Sequence, residues 1–414
     1  MADVDTEIHI QQILLAAAHH DLESLRTLLR TGSANVQDTD TGYTPLHSAI
    51  AACTPEEDPT PQVNGDVDEG ASEDKVDLER AEKTLKLLFQ NGAIWNDLDA
   101  NNETPGCLAW RLGLKSLYEI VVDAGVRAEL LLNRLDEYEP LGDTGDESES
   151  EEDDPETDAA SRGDILTTDE TTLAEPAMQV THETDRKEQD TEDAVSNARY
   201  LNSELSFQNG RILDGNANGV MMAWEMDIMQ RTADLILPQQ GLSVLNVGHG
   251  MGIIDVIIEA KNPSSHHIIE AHPAVLEKMR ETGWTQKPNV HVHEGRWQDI
   301  LPSLLEQNVT FDAIFFDTFA EDYKAFRLFF NEYVIALLKP QGVWSFFHGL
   351  GADRQVCYDV YTKLVEMDLF EADFDTVWTT IDTPNVPQSQ EWEGVRRRYW
   401  ALEKYKLPTC TFIT

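Results

Sequence analysis

The chain has 414 residues and 41% of them are hydrophobic, which is enough for two or three domains with substantial cores. With 31 Lys and Arg against 76 Asp and Glu, its formal net charge of -45 repels phosphate backbones and anionic membranes, which argues against direct nucleic-acid or membrane binding. Its 4 cysteines (Cys53, Cys107, Cys357 and Cys410) are too scattered for a disulfide framework or a zinc motif, and no apolar run could span a bilayer. We therefore expect a soluble protein of the cytoplasm, or of the cytoplasm and nucleus.

The first 133 residues contain a short pattern that occurs twice. Gly32 and Gly92 each follow a leucine-rich helical pattern, and a Thr-Pro pair begins 12 residues after each of them, at positions 44 and 104. Gly92 and Gly125 are 33 residues apart, which is the period of an ankyrin repeat, and we expect each glycine to end a helix at positive φ. The pattern resembles ankyrin repeats. It predicts a small all-α domain over 8–133, interrupted by an acidic insertion at about 54–79.

The next segment is strongly acidic. Between Asp136 and Asp193 there are 23 acidic residues against 3 basic ones, and large apolar side chains are rare. Such a segment cannot bury enough surface to fold, so we predict a disordered linker over 134–198. Solvation and spacing are the simplest role for this linker and for the acidic insertion, and attraction of a basic partner is the alternative.

Residues 199–414 alternate strand and helix patterns. A short apolar run over 241–247 ends in Gly-His-Gly-Met-Gly at 248–252 and continues into an amphipathic helix. Helical patterns separate the later strand patterns, which are found at 267–270, 290–293, 311–316 and 343–347, with further strands expected around 369–377 and 397–402. Repeated strand and helix units predict an α/β fold with a mostly parallel, doubly wound sheet. Such a sheet binds ligands beyond the carboxyl ends of its strands.

Three features of this domain indicate a cofactor. The glycine turn has the spacing Gly-x-Gly-x-Gly, Asp317 ends the fourth strand, and Leu-Lys-Pro-x-Gly at 338–342 precedes the fifth. Together they resemble the class I methyltransferases, whose Rossmann-like fold binds S-adenosylmethionine rather than NAD. Glu270, 22 residues after Gly248, can accept hydrogen bonds from ribose hydroxyls. One position departs from the pattern, since Asn246 stands where this superfamily usually has an acid before the first glycine.

The sequences around these motifs narrow the family. Arg211-Ile-Leu, a helix that starts near Glu225, Gly295-Arg-Trp-Gln and Phe315-Phe-Asp-Thr closely resemble guanidinoacetate methyltransferase, in the same order along the domain. That family lacks ankyrin repeats and a long acidic linker, so the combination resembles the fungal type IV protein arginine methyltransferases. The resemblance implies transfer of one methyl group from S-adenosylmethionine to the internal (δ) nitrogen of an arginine in a ribosomal protein.

The resemblance also implies site residues. The cofactor would pack on Tyr200 and Met229. Its methionine end would be wrapped by the glycine turn, namely Gly248, His249, Gly250, Met251, Gly252 and Ile253. Its ribose would be held by Glu270, Ala271 and His272, and its adenine by Trp297 and Gln298. The guanidinium of the substrate would be gripped by Glu225 and by Asp317, which also belongs to the cofactor-binding set.

The chemistry explains why two carboxylates are needed. A guanidinium is protonated at pH 7, with a reference pKa above about 12, and the lone pair of its internal nitrogen is delocalised. Carboxylates on two sides would orient the planar group and take up the released proton. We assign Asp317 as the general base and Glu225 as the orienting partner, and the reverse assignment is the alternative. Without the surrounding motifs, each would be interpreted as an acid at a helix N-terminus.

Other residues and functions carry less weight. His291 and His293 alternate onto one strand face without a third ligand at suitable spacing, so no metal site is predicted. Arg396-Arg397-Arg398 fits a late strand that faces an acidic surface better than a nuclear signal. The alternative functions are a small-guanidine methyltransferase and a non-enzymatic ankyrin scaffold with a relic cofactor domain. For the favoured function we expect a basic protein substrate, and a monomer rather than an obligate oligomer.

Overall fold

A computed structural model describes residues 2–53, 70–135 and 197–414. The predicted acidic linker, 134–198, lies outside the described residues except at its two ends. The predicted acidic insertion, 54–79, lies outside them as far as residue 69, and its remaining residues begin a helix, Gly70–Gln90. Within the described ranges, no helix is both long and apolar enough to cross a membrane.

The described N-terminal part is helical. Its helices are α1 (Ala2–Ala18), α2 (Leu22–Leu28), α3 (Pro45–Ala51), α4 (Gly70–Gln90), α5 (Pro105–Arg111) and α6 (Lys115–Leu135). The two Thr-Pro pairs begin α3 and α5 in the same way. In each case the threonine hydroxyl oxygen accepts a hydrogen bond from the main-chain N–H three residues later, and the proline fits the first turn because that turn needs no N–H donor there. The repeated pattern therefore encodes two equivalent helix starts.

The C-terminal part contains two sheets. After a short helix, α7 (Asn197–Leu201), an antiparallel sheet is formed by β1 (Ser206–Gln208), β2 (Arg211–Leu213) and β3 (Gly219–Met222). The main sheet is formed by β4 (Ser243–Val247), β5 (Ser265–Glu270), β6 (Val290–Glu294), β7 (Phe311–Phe316), β8 (Leu338–Phe346), β9 (Phe374–Asp382) and β10 (Lys404–Phe412). Its strand order is β6-β5-β4-β7-β8-β10-β9.

The main sheet is mostly parallel, as predicted. Strands β4 to β8 pair in parallel, and only β10 is antiparallel to its neighbours β8 and β9. The connecting helices are α8 (Met226–Ile236), α9 (Ile253–Ala260), α10 (Pro273–Glu281), α11 (Trp297–Glu306), α12 (Tyr323–Leu328), α13 (Ile335–Leu337) and α14 (Gln355–Glu371). Because the chain order runs outward from β4 on both sides, the carboxyl ends of β4 and β7 open a crevice.

Both faces of the central strands are buried, which explains their unbroken apolar runs. Leu245 and Ile314 pack with Trp344 on one face, and Val244 and Phe315 pack on the other. Each such side chain contributes roughly 1.5–3 kcal/mol through burial. The rigid central sheet therefore fixes the positions of the loops at its carboxyl edge.

The last strands match the prediction in part. The strand predicted around 369–377 is present as β9 but starts only at Phe374, because residues 369–371 end α14. The strand predicted over 397–402 is absent, and β10 starts at Lys404. This segment instead lies beside β3, where Gly219 N donates to Arg397 O at 3.0 Å. Its alternating pattern reflects Trp400, which is buried, and Tyr399, which is partly buried, in an irregular loop.

The N-terminal helices pack on α14. Gly92 has a φ of +82° just beyond α4, as expected, whereas Gly32 has no positive φ and Gly125 lies inside α6, so those two helix-end predictions are wrong. A Cβ on Gly125 would lie 2.7 Å from Val360 Cγ2 and 3.0 Å from the Trp95 ring. Gly125 therefore allows α6 to approach α14 closely, so its function is in packing rather than in ending a helix.

Candidate active site

The glycine turn brings bare backbone to the crevice between β4 and β7. Gly248, Gly250 and Gly252 have φ values of +97°, +56° and +73°, which favour glycine. A Cβ on Gly248 would lie 1.9 Å from the carbonyl oxygen of Asp317, and one on Gly250 would lie 2.6 Å from Met221 Sδ. The turn therefore passes too close to its neighbours to carry side chains at these positions.

Glu270, at the carboxyl end of β5, holds two loops together. Its Oε2 accepts hydrogen bonds from His249 N (2.9 Å) and Gly250 N (3.3 Å), and its Oε1 accepts one from His272 N (2.7 Å). These three N–H donors fix the orientation of the carboxylate. Glu270 thus fixes the glycine turn relative to the loop after β5, beside the predicted ribose position.

A cavity of about 270 Å³ opens at this edge of the sheet. Of the predicted site residues, those that line it are Tyr200, Glu225, Gly248, His249, Gly250, Glu270, Ala271, Trp297 and Asp317. The predicted residues outside the lining are Met229, Met251, Gly252, Ile253, His272 and Gln298. Most of the predicted site residues therefore line one cavity, and the others lie outside its lining.

The residues behind the lining act as support. Met229 is fully buried in the apolar core beneath the glycine turn, where Met251 and Ile253 also pack. His272 Nδ1 accepts a hydrogen bond from Ala274 N, so its Nε2 carries the hydrogen and donates to Tyr200 O at 3.1 Å. His272 therefore holds Tyr200 at the cavity wall from behind.

Glu321, in the loop after β7, is a lining residue that the sequence did not indicate. The indole Nε1 of Trp297 donates to both of its carboxylate oxygens at 2.9 Å. Burial raises the pKa of Glu321, and hydrogen bonds from Trp297 and Gln298 oppose that rise. Glu321 thus orients Trp297 at the predicted adenine end, and neither residue type nor spacing distinguished it from an ordinary loop acid.

Glu225 and Asp317 both face the cavity. Glu225 follows β3 in a single 3-10 turn and is 2% exposed, and Asp317 directly follows β7. Burial and the charge of Asp317 raise the pKa of Glu225, while burial and the charge of Asp255 raise the pKa of Asp317. The buried Glu225 and the half-buried Asp317 therefore hold protons more tightly than exposed acids do, and a cation bound between them would favour their ionised forms.

Tyr399 is a second lining residue that sequence reasoning missed. Its hydroxyl donates to Oε1 of Glu225, and its ring packs between Trp224 and Trp392. Tyr399 belongs to the 397–402 segment, which was predicted as a strand, and a strand there would not predict its contact with Glu225. The aromatic and basic residues around it in the sequence gave no sign of an active-site contact.

The electrostatics of the cavity suit a cationic ligand. Among the described lining residues, the acids are Glu225, Glu270, Asp317, Glu321 and Asp322, and the single Lys or Arg is Arg296. S-adenosylmethionine carries a sulfonium cation, a ribose and an adenine, and it fits a lining of side-chain-free backbone, a carboxylate after β5 and an indole. The residues that would hold it are the Gly248–Gly250 backbone, Glu270 and Trp297.

Comparison with known proteins supports this assignment. Residues 190–377 match the family model "Guanidinoacetate N-methyltransferase". "Protein arginine N-methyltransferase 2" of Emericella nidulans is 53% identical over 425 residues, covering 100% of this chain and 99% of the relative. The proteins of the same name from Aspergillus fumigatus (52% identity, 99% and 97% covered) and Neurospora crassa (44%, 99% and 97%) are similar throughout. The chain therefore belongs to this family of protein arginine N-methyltransferases, and its cofactor is S-adenosylmethionine.

Proposed function

We propose that the chain monomethylates the internal (δ) nitrogen of an arginine in a basic protein, with ribosomal proteins as the substrate class. The observation that carries this proposal is the carboxylate pair, the buried Glu225 and the half-buried Asp317, in the same cavity as the glycine turn. An internal nitrogen must be reached from the side of the guanidinium, and two carboxylates can hold the outer nitrogens while leaving it accessible.

Each carboxylate has one role in this proposal. Bound S-adenosylmethionine supplies an electrophilic methyl group, so that a C–N bond forms as the C–S bond breaks and the guanidinium loses one proton. Asp317 takes up that proton, because its raised pKa makes it a better acceptor than an exposed aspartate. Glu225 orients the guanidinium and is itself held by Tyr399. The substrate cation offsets part of the free-energy cost of desolvating the two acids.

A small-guanidine methyltransferase is the second candidate, because the family model that matches the domain is the guanidinoacetate enzyme. Guanidinoacetate carries a carboxylate that needs a cationic partner. In the described lining the single candidate is Arg296, which precedes Trp297 at the predicted adenine end. The charge of the cavity therefore favours a substrate without a carboxylate close to the guanidinium, as in a peptide.

We further propose that the N-terminal helices over 8–133 form an ankyrin-type domain that docks the basic substrate. The proposed domain order is these repeats, an acidic linker over 134–198 and a methyltransferase domain over 199–414, acting as a monomer. Support comes from the shared Thr-Pro start of α3 and α5, each with a threonine N-cap, and from the acidic composition of the chain. The non-enzymatic scaffold alternative is disfavoured by the intact carboxylate pair.

The experiment is methyl transfer from isotopically labelled S-adenosylmethionine to a ribosomal protein fraction or to guanidinoacetate. The proposal expects label on protein arginine, and label on guanidinoacetate alone would establish the second candidate. Glu225→Gln and Asp317→Asn should each abolish transfer while retaining cofactor binding. Wild-type transfer by both variants would refute the assigned chemistry.

A further inference from the structure

A cluster of buried charges lies beneath the glycine turn, and its central acid, Asp255, does not line the cavity. Asp255, in the first turn of α9, is fully buried and accepts three side-chain hydrogen bonds. Its Oδ1 accepts from Asn246 Nδ2 (2.8 Å) and His266 Nε2 (3.0 Å), and its Oδ2 accepts from His249 Nδ1 (2.7 Å). Asp255 thereby ties together β4, the glycine turn and β5.

The hydrogen bonds define the charges in this cluster. His266 donates from Nε2 to Asp255 and from Nδ1 to Glu259 Oε1 at 3.0 Å, so both ring nitrogens carry hydrogen and the ring is an imidazolium. Burial lowers the pKa of His266, but its bonds to two carboxylates outweigh burial and raise it. Burial likewise opposes ionisation of Asp255, yet His249 and His266 hold its pKa well below the usual range.

His249 connects Asp255 to the wall of the cavity. Its main-chain N–H donates to Glu270, its ring N–H donates to Asp255, and the residue lines the cavity. The ring fills the space under the turn, because a Cβ on Gly252 would lie 2.8 Å from it, and it packs edge-on against Trp284 at 5.1 Å. His249 is therefore held through its main chain by Glu270 and through its ring by Asp255, and this fixes the glycine turn.

We propose that Asp255 is a positioning residue for cofactor binding. Through its hydrogen bond to His249 it fixes the glycine turn in its cofactor-binding shape, and through its bonds to Asn246 and His266 it fixes that turn relative to β4 and β5. This role depends on cofactor binding alone and not on the roles assigned to Glu225 and Asp317.

The first test is Asp255→Asn, which removes the charge and keeps the volume. Calorimetry with S-adenosylhomocysteine should show about tenfold weaker binding, because a buried donor loses its charged acceptor. The matched control is Asp368→Asn, a buried α14 carboxylate that contacts Tyr323 and Arg327 and does not line the cavity. This control should change stability alone.

The second test removes the link through His249 alone. His249→Phe retains a ring against Trp284 and leaves Asp255 charged beside His266, so it should weaken S-adenosylhomocysteine binding. Wild-type affinity in His249→Phe and in folded Asp255→Asn would overturn the anchoring role. Because calorimetry needs no turnover, wild-type turnover by Asp317→Asn would reject the proposed function alone, and the affinities would still decide the anchoring role.

Discussion

The hydroxyl of Tyr399 donates a hydrogen bond to Oε1 of Glu225, which is 174 residues away in the sequence. Met222 N donates to the same oxygen at 3.0 Å. Because both bonds use Oε1, the second carboxylate oxygen of Glu225 is the one available to a substrate. Tyr399 lies in the connection between β9 and β10, so this connection completes the active site by holding Glu225, while the other acid, Asp317, follows β7.

Tyr399→Phe should lower kcat about tenfold, because Glu225 loses one of the bonds that orient it. The bond from Tyr399 opposes the burial that raises the pKa of Glu225, so its removal should raise that pKa further. The acid limb of the kcat profile should then move to higher pH. Tyr361→Phe, which removes a hydroxyl bonded to Glu129 at 3.3 Å, is the matched control and should leave the profile unchanged. Identical profiles for both variants would contradict the positioning role.

Gly248→Ala should abolish cofactor binding. The new Cβ would lie 1.9 Å from the Asp317 carbonyl oxygen at a φ of +97°, so the glycine turn must move away from β7. Gly241→Ala is the control, since Gly241 has a φ of +79° with nothing within 4 Å of the added Cβ. It should cost about 1–2 kcal/mol of stability and retain binding of S-adenosylhomocysteine. Equal affinities for the two variants, measured by calorimetry, would show that the close approach at Gly248 is not required.

Acid should weaken the edge of the main sheet. His267 Nδ1 and His293 Nε2 lie 3.0 Å apart, and one ring must accept, so the bond requires at least one neutral imidazole. Burial and the neighbouring histidines lower the pKa of His267 to about 4, and burial and His291 lower the pKa of His293.

The sign of this effect follows from linkage. The unfolded chain, with histidine pKa values near 6.5, binds more protons than the folded chain, so this contribution is complete above about pH 6.5 and is lost as pH falls toward 4. His293→Gln should reduce the loss of Tm between pH 7 and pH 5 in thermal scans. If His293→Gln loses as much Tm between pH 7 and pH 5 as the wild-type protein does, the histidine pair is not the cause of that loss.

Gly125→Ala should destabilise the contact between α6 and α14. A Gly→Ala change inside a helix stabilises it by about 1 kcal/mol through helix propensity, whereas overpacking destabilises the fold by about 1–3 kcal/mol. Because the new Cβ would lie 2.7 Å from the stiff side chain of Val360, we expect the overpacking to be the larger effect. Val360→Ala should relieve the clash, so the double variant should lose less free energy of unfolding than the sum of the single variants. Strict additivity in urea titrations would contradict this contact.

Residues that belong to continuous motifs could be predicted from the sequence, and residues that act across loops could not. The glycine turn, Glu270 and Asp317 lie at the carboxyl ends of the neighbouring strands β4, β5 and β7, so the parallel sheet brings them to one edge. Tyr399 and Glu321 reach their partners from loops whose paths no periodicity encodes. Asn246 was visible as a departure from the pattern, but the acid in contact with it, Asp255, lies nine residues later in a helix.

The most direct measurement of the central claim is the position of the transferred methyl group in the arginine side chain. We would digest a basic ribosomal protein methylated by the wild-type enzyme and fragment the modified peptides by tandem mass spectrometry. If the internal nitrogen is methylated, the arginine side chain should lose its terminal nitrogen groups without a methyl group. The methyl group should then remain on the ornithine-like fragment, which keeps the internal nitrogen. Loss of methylamine from the terminal nitrogens would contradict the account.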